Sequence, residues 1–235
     1  MKRYLCQIII PLLYIGTAHA QANGLVVGGK WADQISITDV NGRPFENRYA
    51  DVAGSPCFIA DYRFANITLA QGRKFVNVKM KIDLVSQETR FVSSNGVEGY
   101  MTAGTVKEID FADTTAQGII QYKFETGFPP IDRQTQNDFY QVLAEGKCSF
   151  VKSISKKVNE RKNELSGEIA KDFETTENFY LFIKGEMKRL KKDKDFFLLE
   201  FSDKGQEISQ FIQSNKTNFK NNEQVVKLVN YYNSL

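Results

Sequence analysis

Four carboxylates in the middle of the chain are the residues whose type and spacing could support catalysis. Glu88, Glu98, Glu108 and Asp110 lie in a β-rich stretch that also holds many aromatic residues. Hydrolysis of a glycosidic bond needs two such groups, one as the acid and one as the base or nucleophile. Carboxylates that alternate along a strand are also typical of a solvated sheet face. No motif favours catalysis, so a carboxylate-dependent hydrolase stays an alternative.

Histidine chemistry is excluded from the mature chain that the sequence predicts. The only histidine of the 235 residues, His19, lies in residues 1–20. That segment begins Met1-Lys2-Arg3, continues through an apolar stretch and ends in small residues at Ala20, which is typical of a cleaved secretory signal peptide. Cleavage after Ala20 leaves no histidine for a catalytic triad or a histidine-ligated zinc ion. Catalysis by the remaining carboxylates, tyrosines, lysines and cysteines stays possible, but none of these groups forms a recognisable arrangement, so we assign no catalytic residues, no metal site and no cofactor.

The charge of the mature chain argues against a nucleic-acid partner. Removing Lys2 and Arg3 from 31 basic residues leaves 29, against 28 acidic residues. A nucleic-acid binder needs a basic field to displace the counterions of the phosphates. No later segment has eighteen consecutive apolar residues, so we also expect no membrane-spanning helix after cleavage.

Two cysteines, Cys57 and Cys148, remain after cleavage. In an exported protein this number permits one disulfide. It would close a loop of about 90 residues and stabilise the fold by roughly 4–5 kcal/mol. The alternative is two separate buried thiols that pack as small apolar side chains. We favour free thiols, because the two strand-like segments that carry the cysteines need not be neighbours.

Aromatic residues are the other candidates for a binding role. Five of them cluster in sequence around the Pro129-Pro130 loop: Tyr122, Phe124, Phe128, Phe139 and Tyr140. Exposed, they would form a partner-facing patch for a glycan or a protein. Buried, they would fill a thin core, because each aromatic side chain removes a large area from water. The alternation of the strands favours burial for several of them.

The elements that position these residues are predominantly strands. Residues 75–84 alternate, which predicts an antiparallel strand with apolar residues 76, 78, 80, 82 and 84 buried and residues 77, 79, 81 and 83 solvated. Other predicted strands cover residues 35–38, 57–62, 65–69, 89–93, 99–102, 106–111, 119–124, 139–143, 149–155, 179–183 and 186–190. The charged stretch 156–176 is either a long exposed excursion or a solvated strand pair.

The C-terminal residues predict three short helices. Asp193 or Lys194 begins the first helix, and Ser202 or Asp203 caps the second. The third begins after Asn221, and its apolar residues Val225, Leu228, Val229 and Tyr232 form one stripe. This stripe needs a partner surface, for which we expect the other two helices and one edge of the sheet.

The fold class predicted from these elements is α+β. A mainly antiparallel β meander, either a sandwich or an open barrel, occupies residues 35–190, and a small helical subdomain occupies residues 191–235. The signal peptide, residues 1–20, and an N-terminal extension, residues 21–34, precede the meander.

Two stretches resemble a family of exported proteins from Bacteroidota. The first is Gly54-Ser55-Pro56 with the strand that begins at Gly72, and the second is the helical tail that ends in Tyr231-Tyr232-Asn233-Ser234-Leu235. The resemblance covers most of the mature chain and implies a Gram-negative periplasm, outer envelope or extracellular location. It assigns no reaction and no site residues. We therefore expect an exported, non-catalytic envelope protein with a binding or structural role, whose partner is an envelope protein or a glycan.

Overall fold

The part of the chain that the structure describes forms an antiparallel sheet followed by helices, which confirms the predicted α+β class. The computed structural model describes residues 49–116, 118–162, 164 and 167–235. The predicted signal peptide, the N-terminal extension and the predicted strand 35–38 lie outside the described residues. Within the described residues, ten strands form one open sheet, and three α-helices follow them.

The strands pair mostly with their neighbours in sequence, in the spatial order β10-β9-β8-β7-β6-β5-β1-β2-β3-β4. Only β1 departs from a simple meander, because it pairs with both β2 and β5. The strands are β1 (Arg63–Leu69), β2 (Lys74–Asp83), β3 (Glu88–Val92), β4 (Glu98–Met101), β5 (Val106–Thr115), β6 (Gly118–Glu125), β7 (Tyr140–Ala144), β8 (Cys148–Lys162), β9 (Ile169–Ile183) and β10 (Glu186–Arg189).

Alternation identifies β2 correctly but assigns two of its side chains to the wrong environment. Val76 is exposed, because the pairing register shifts opposite Asn66 and Asn77 adopts a φ of 58°. A bulge of this kind moves the side chains before it out of the simple alternation. At the other end of the strand, Asp83 is buried although the pattern predicts a solvated residue.

The predicted strand 57–62 is largely wrong. Its one ladder position is Cys57, which bridges Asp83 on β2, and the next residues leave the sheet as an irregular segment. Its aromatic and β-branched composition is nevertheless that of a strand. The segment therefore runs beside β2 and enters the sheet only at Arg63, where β1 begins.

The charged stretch 156–176 is a solvated strand pair. It forms the outer part of the hairpin of β8 and β9, which pair over all 15 residues of each strand. Cross-strand ion pairs, such as Lys157 with Glu174 at 3.1 Å, lie on its surface. Opposite charges on facing strand positions favour the pairing, and this explains why a sequence with few large apolar residues forms strands here.

The sheet curls until the turn between β2 and β3 contacts β8. The backbone N–H of Lys156 donates to the carbonyl of Leu84 at 2.9 Å, and Gln87 Nε2 donates to the carbonyls of Leu84 and Ile154. This contact encloses a first core cluster on the concave side, which includes Met80, Ile109, Phe124, Phe139 and Ile154.

The C-terminal helices are α1 (Lys194–Glu200), α2 (Gly205–Asn215) and α3 (Asn222–Ser234). Asp193 caps α1 by accepting from the N–H of Phe196, and Asn221 caps α3, both as predicted. The predicted cap of α2 is wrong. Residues 202–204 form a 3₁₀ turn, and Asp203 instead accepts from the hydroxyl of Tyr232 on α3.

The helices pack on a face of the sheet, whereas the sequence predicted contact with a sheet edge. The predicted stripe of α3 is buried in a second core cluster together with Phe150 on β8 and Leu181 on β9. Asn233 joins the tail to the sheet, since its side chain accepts from the N–H of Cys148 and donates to the carbonyl of the same residue, both at 2.8 Å. The helical part therefore shares its core with β7, β8 and β9.

None of the described helices combines the length and the apolar character that crossing a membrane requires.

Candidate functional site

A small depression lies where the irregular segment before β1 crosses the sheet. It is shallow and open to solvent, and its lining combines apolar side chains of the first core with charged residues. The lining residues are Phe58, Ile59, Asp61, Arg63, Met80, Lys81, Ile82 and Phe111. Ligand sites are usually concave, with an apolar floor and a few polar groups that orient the ligand. This depression has both components.

Half-buried aromatic rings form one side of the depression. The ring of Phe58 lies 5.1 Å from that of Tyr122 and 6.3 Å from that of Phe111, both edge to face. Tyr122 in turn stacks on Phe111, with 5.2 Å between the ring centroids. Phe58, which lines the depression, and Tyr122, which packs against it, both remain partly exposed beside the buried apolar side chains of the first core.

Charged side chains at the rim are held by one another. Arg63 Nε donates to Asp113 Oδ1 at 2.7 Å, and a guanidinium nitrogen of Arg63 donates to the carbonyl of Tyr62 at 3.1 Å. The ammonium of Lys81 lies 4.3 Å from the ring centroid of Tyr62. Asp61, Arg63 and Lys81 therefore bring charges of both signs to the lining of the depression.

The Gly54-Ser55-Pro56 motif positions Phe58 at this site. Lys156 Nζ donates to the carbonyls of Ser55 and Cys57, at 2.7 and 2.8 Å. Gly54 has a φ of 95°, which favours glycine, and it turns the chain from β9 towards β2. The N–H of Phe58 then donates to the carbonyl of Ile82 at 2.9 Å. The motif thus fixes the path of the segment whose aromatic side chain borders the depression.

A buried ion pair lies next to this segment. Asp83 accepts from Nε and a terminal nitrogen of Arg90, and its other oxygen accepts from the N–H groups of Val85 and Ser86. Burial alone lowers the pKa of Arg90, but the hydrogen bonds and charge of Asp83 outweigh this and raise it. Every oxygen of the carboxylate is thus engaged inside the protein, so the pair holds the turn between β2 and β3 and is not available to a ligand.

Of the five aromatic residues predicted as a candidate patch, only Tyr122 is partly exposed, and its ring packs against Phe58 in the lining of the depression. Phe124 and Phe139 are buried in the first core cluster, and Phe128 and Tyr140 are buried in a third cluster with Val151, Tyr180 and Met187. These four residues cannot face a partner in this structure. The core interpretation is correct for them, because each side chain is buried in one of these two clusters.

The four candidate carboxylates do not converge on one site. Glu108 and Asp110 are neighbours on β5, whereas Glu98 lies on β4 with its carboxylate 3.9 Å from Arg90. Glu88 begins β3 opposite Asp83. The structure therefore offers one carboxylate pair, Glu108 with Asp110, and not a group of four.

Lys123 lies against this carboxylate pair. Its ammonium is 3.5 Å from Glu108 and 2.7 Å from each of Glu125 and Glu145. Burial raises the pKa of Asp110, and the negative charge of Glu108 raises it further. A carboxylic acid with a raised pKa beside a second carboxylate is a candidate proton donor, and the lysine neutralises part of the negative charge of the cluster.

Cys57 and Cys148 are free and buried in different parts of the fold. Cys57 bridges Asp83 on β2, whereas Cys148 begins β8 beneath the helices. Burial raises the pKa of both thiols, that of Cys148 to about 12.

We expect both thiols to resist alkylation in the folded protein at pH 8, because the thiolate is the nucleophile and a raised pKa leaves it scarce. Iodoacetamide labelling followed by mass spectrometry should modify neither cysteine until urea unfolds the chain. A Cys57–Cys148 linked peptide in a non-reducing digest of the exported protein would contradict the free-thiol arrangement.

The depression itself was not predicted from the sequence. Asp61, Arg63 and Lys81 carry no motif, and they meet only because β1 pairs with β2, whereas the pairing of β1 with β5 adds Phe111 to the lining. The one available signal was the aromatic content of residues 57–62, which instead predicted a strand. Within the described ranges, no group of three or more Cys, Asp or Glu residues could hold a metal ion.

Comparison of the chain with protein-family models, with curated proteins and with solved structures found no match in any of the three.

Proposed function

We propose that this chain is an exported, non-catalytic envelope protein that binds a glycan at the depression beside Phe58 and Tyr122. The observation that carries the proposal is a pair of partly exposed aromatic rings, Phe58 in the lining and Tyr122 packed against it, beside an apolar floor with Arg63 and Asp61 among the lining residues. Aromatic faces pack against the apolar faces of sugar rings, and charged rim groups donate to or accept from the hydroxyls.

The same proposal includes the compartment. The segment 1–20 has the charged, apolar and small-residue order of a signal peptide, and the resemblance to exported Bacteroidota proteins favours a periplasmic or outer-envelope location. An envelope compartment supplies polysaccharide and peptidoglycan in quantity, which makes a glycan the first ligand class to test.

Affinity capture tests the proposal directly. The purified protein is immobilised and exposed to a soluble envelope extract, and bound material is analysed for sugars and for protein. We expect sugar to be retained by the wild type and retained at least about tenfold less by Tyr122→Ala, since the variant removes one stacking face.

Tyr231→Ala is the matched control, because Tyr231 is a half-buried tyrosine that stacks on Phe211 in the helices, far from the depression. It should retain as much sugar as the wild type. Equal retention by Tyr122→Ala and Tyr231→Ala would contradict the assignment of the site, and a retained protein with no sugar would contradict the ligand class.

A carboxylate-dependent glycan hydrolase is the second candidate, and the raised pKa of Asp110 beside Glu108 is the observation that favours it. Zymography over polysaccharide and peptidoglycan would then show clearing by the wild type, and none by Asp110→Asn. No clearing by the wild type at high protein loading would remove this candidate.

A further inference from the structure

One exposed face of the sheet, which faces away from the first core, is positively charged at β2 and mainly negatively charged at β5 and β6. We call it the front face, and it consists of Phe64, Asn66 and Thr68 on β1, Lys74, Val76 and Lys79 on β2, Glu108 and Asp110 on β5, and Lys123 and Glu125 on β6. Phe64 and Val76 expose 61% and 68% of their surface, although both are large apolar residues. Within the described residues, no helix or loop packs over them.

The pairing register arranges the front face symmetrically about β1. Thr68 lies between Lys74 on β2 and Glu108 on β5, since it is the register partner of both. Phe64 is the partner of Lys79, and Asn66 is the partner of Asp110. The β2 side therefore carries lysines, and the β5 and β6 side carries three carboxylates against one lysine, with an exposed phenylalanine in the middle.

We infer that the front face binds a second copy of this chain. A two-fold axis along β1 exchanges the two sides of the face, so it brings Lys74 of one copy against Glu108 of the other, twice per dimer. Residues on the axis meet their own copies, which places Phe64 against Phe64. An isologous interface needs this self-complementarity, and two sheets that pack face to face with nearly aligned strands provide it.

The charges of the front face favour this two-fold arrangement of the second copy over the alternative one. A two-fold axis across the strands would instead oppose carboxylates with carboxylates and lysines with lysines, and like charges in contact cost several kcal/mol. The front face is small, so the association is of the weak class, with a Kd of about 10 µM or higher.

A charge exchange between Lys74 and Glu108 tests the inference. Lys74 is exposed, and Glu108 is half-buried beside Lys123, so circular dichroism and a urea midpoint first confirm that each variant folds. Sedimentation equilibrium at increasing concentration should show a wild-type dimer, and about tenfold weaker association for Lys74→Glu and for Glu108→Lys alone. The two variants mixed together should associate again, because the mixed dimer restores both opposite-charge contacts.

Two further variants keep the test independent of Glu108. Phe64→Ser should weaken association and leave the urea midpoint unchanged, since the side chain is already exposed. Leu199→Ser replaces a similarly exposed apolar residue of α1 and should change neither the association nor the urea midpoint. A wild type that stays monomeric up to about 1 mM, or single variants that associate as well as the wild type, would overturn the inference. So would a mixture that shows no recovery.

Discussion

Replacing Asp83 with alanine should lower the free energy of unfolding by about 3–5 kcal/mol, because the substitution removes one partner of a buried ion pair. The side chains of Asp83 and Arg90 are 2% and 11% exposed, so the variant removes the carboxylate that accepts two hydrogen bonds from a buried guanidinium and leaves Glu98, at 3.9 Å, as its nearest carboxylate. It also removes the acceptor of the N–H groups of Val85 and Ser86 in the turn that contacts β8. Urea unfolding followed by circular dichroism measures the change.

Glu174→Ala is the control for this prediction. Glu174 is paired with Lys157 at 3.1 Å, but both side chains are at least half exposed. Exposed ion pairs contribute about 0–1 kcal/mol, so this variant should unfold close to the wild type. Equal midpoints for Asp83→Ala and Glu174→Ala would mean that the buried pair does not hold the turn in place.

Replacing Phe197 with alanine should cost about 3–5 kcal/mol, because a fully buried phenylalanine leaves a cavity that its neighbours cannot fill. Its ring lies 5.3 Å from that of Phe219 and 5.9 Å from that of Phe201, within the core that the helices share with the sheet. Since helices and sheet share one core, we expect the variant to unfold in a single transition at a lower urea concentration. Leu199→Ala, in the same helix but 70% exposed, should change the midpoint little.

Two separate transitions, in which the helical signal of Phe197→Ala is lost before the sheet unfolds, would contradict the shared core. Tyrosine fluorescence and far-ultraviolet circular dichroism, recorded on the same samples, distinguish the two cases. Coincident curves are the expected result for a cooperative domain of this size.

Helices and strands that bury one face are predictable from the sequence, because their apolar residues recur with the period of the element. The stripe of Val225, Leu228, Val229 and Tyr232 is buried as expected, because residues at this spacing lie on a single face of a helix and that face packs against the core. The strand β2 is found for the same reason. Alternation fails at Val76 because a bulge depends on the pairing partner, Asn66, which the pattern of one strand does not contain.

The burial of Asp83 and the location of the depression depend on contacts between separate segments of the chain. Asp83 is a polar residue in an alternating strand, and it can be buried only because Arg90 lies close to it on β3. The depression needs Phe58, Arg63 and Phe111 from segments that meet through the pairing of β1 with β5. No local pattern determines that β1 joins β5 and not a strand nearer in the chain, so the candidate site could not be located from the sequence.

Footprinting of Tyr122 by hydroxyl radicals is the most direct test of glycan binding at the depression. The protein is oxidised with and without soluble envelope glycan, and modification is measured by mass spectrometry for each tyrosine. We predict that oxidation of Tyr122 falls several-fold when glycan is added, while oxidation of Tyr231 stays the same. Unchanged oxidation of Tyr122, under conditions in which the glycan is retained by the protein, would contradict the proposed site.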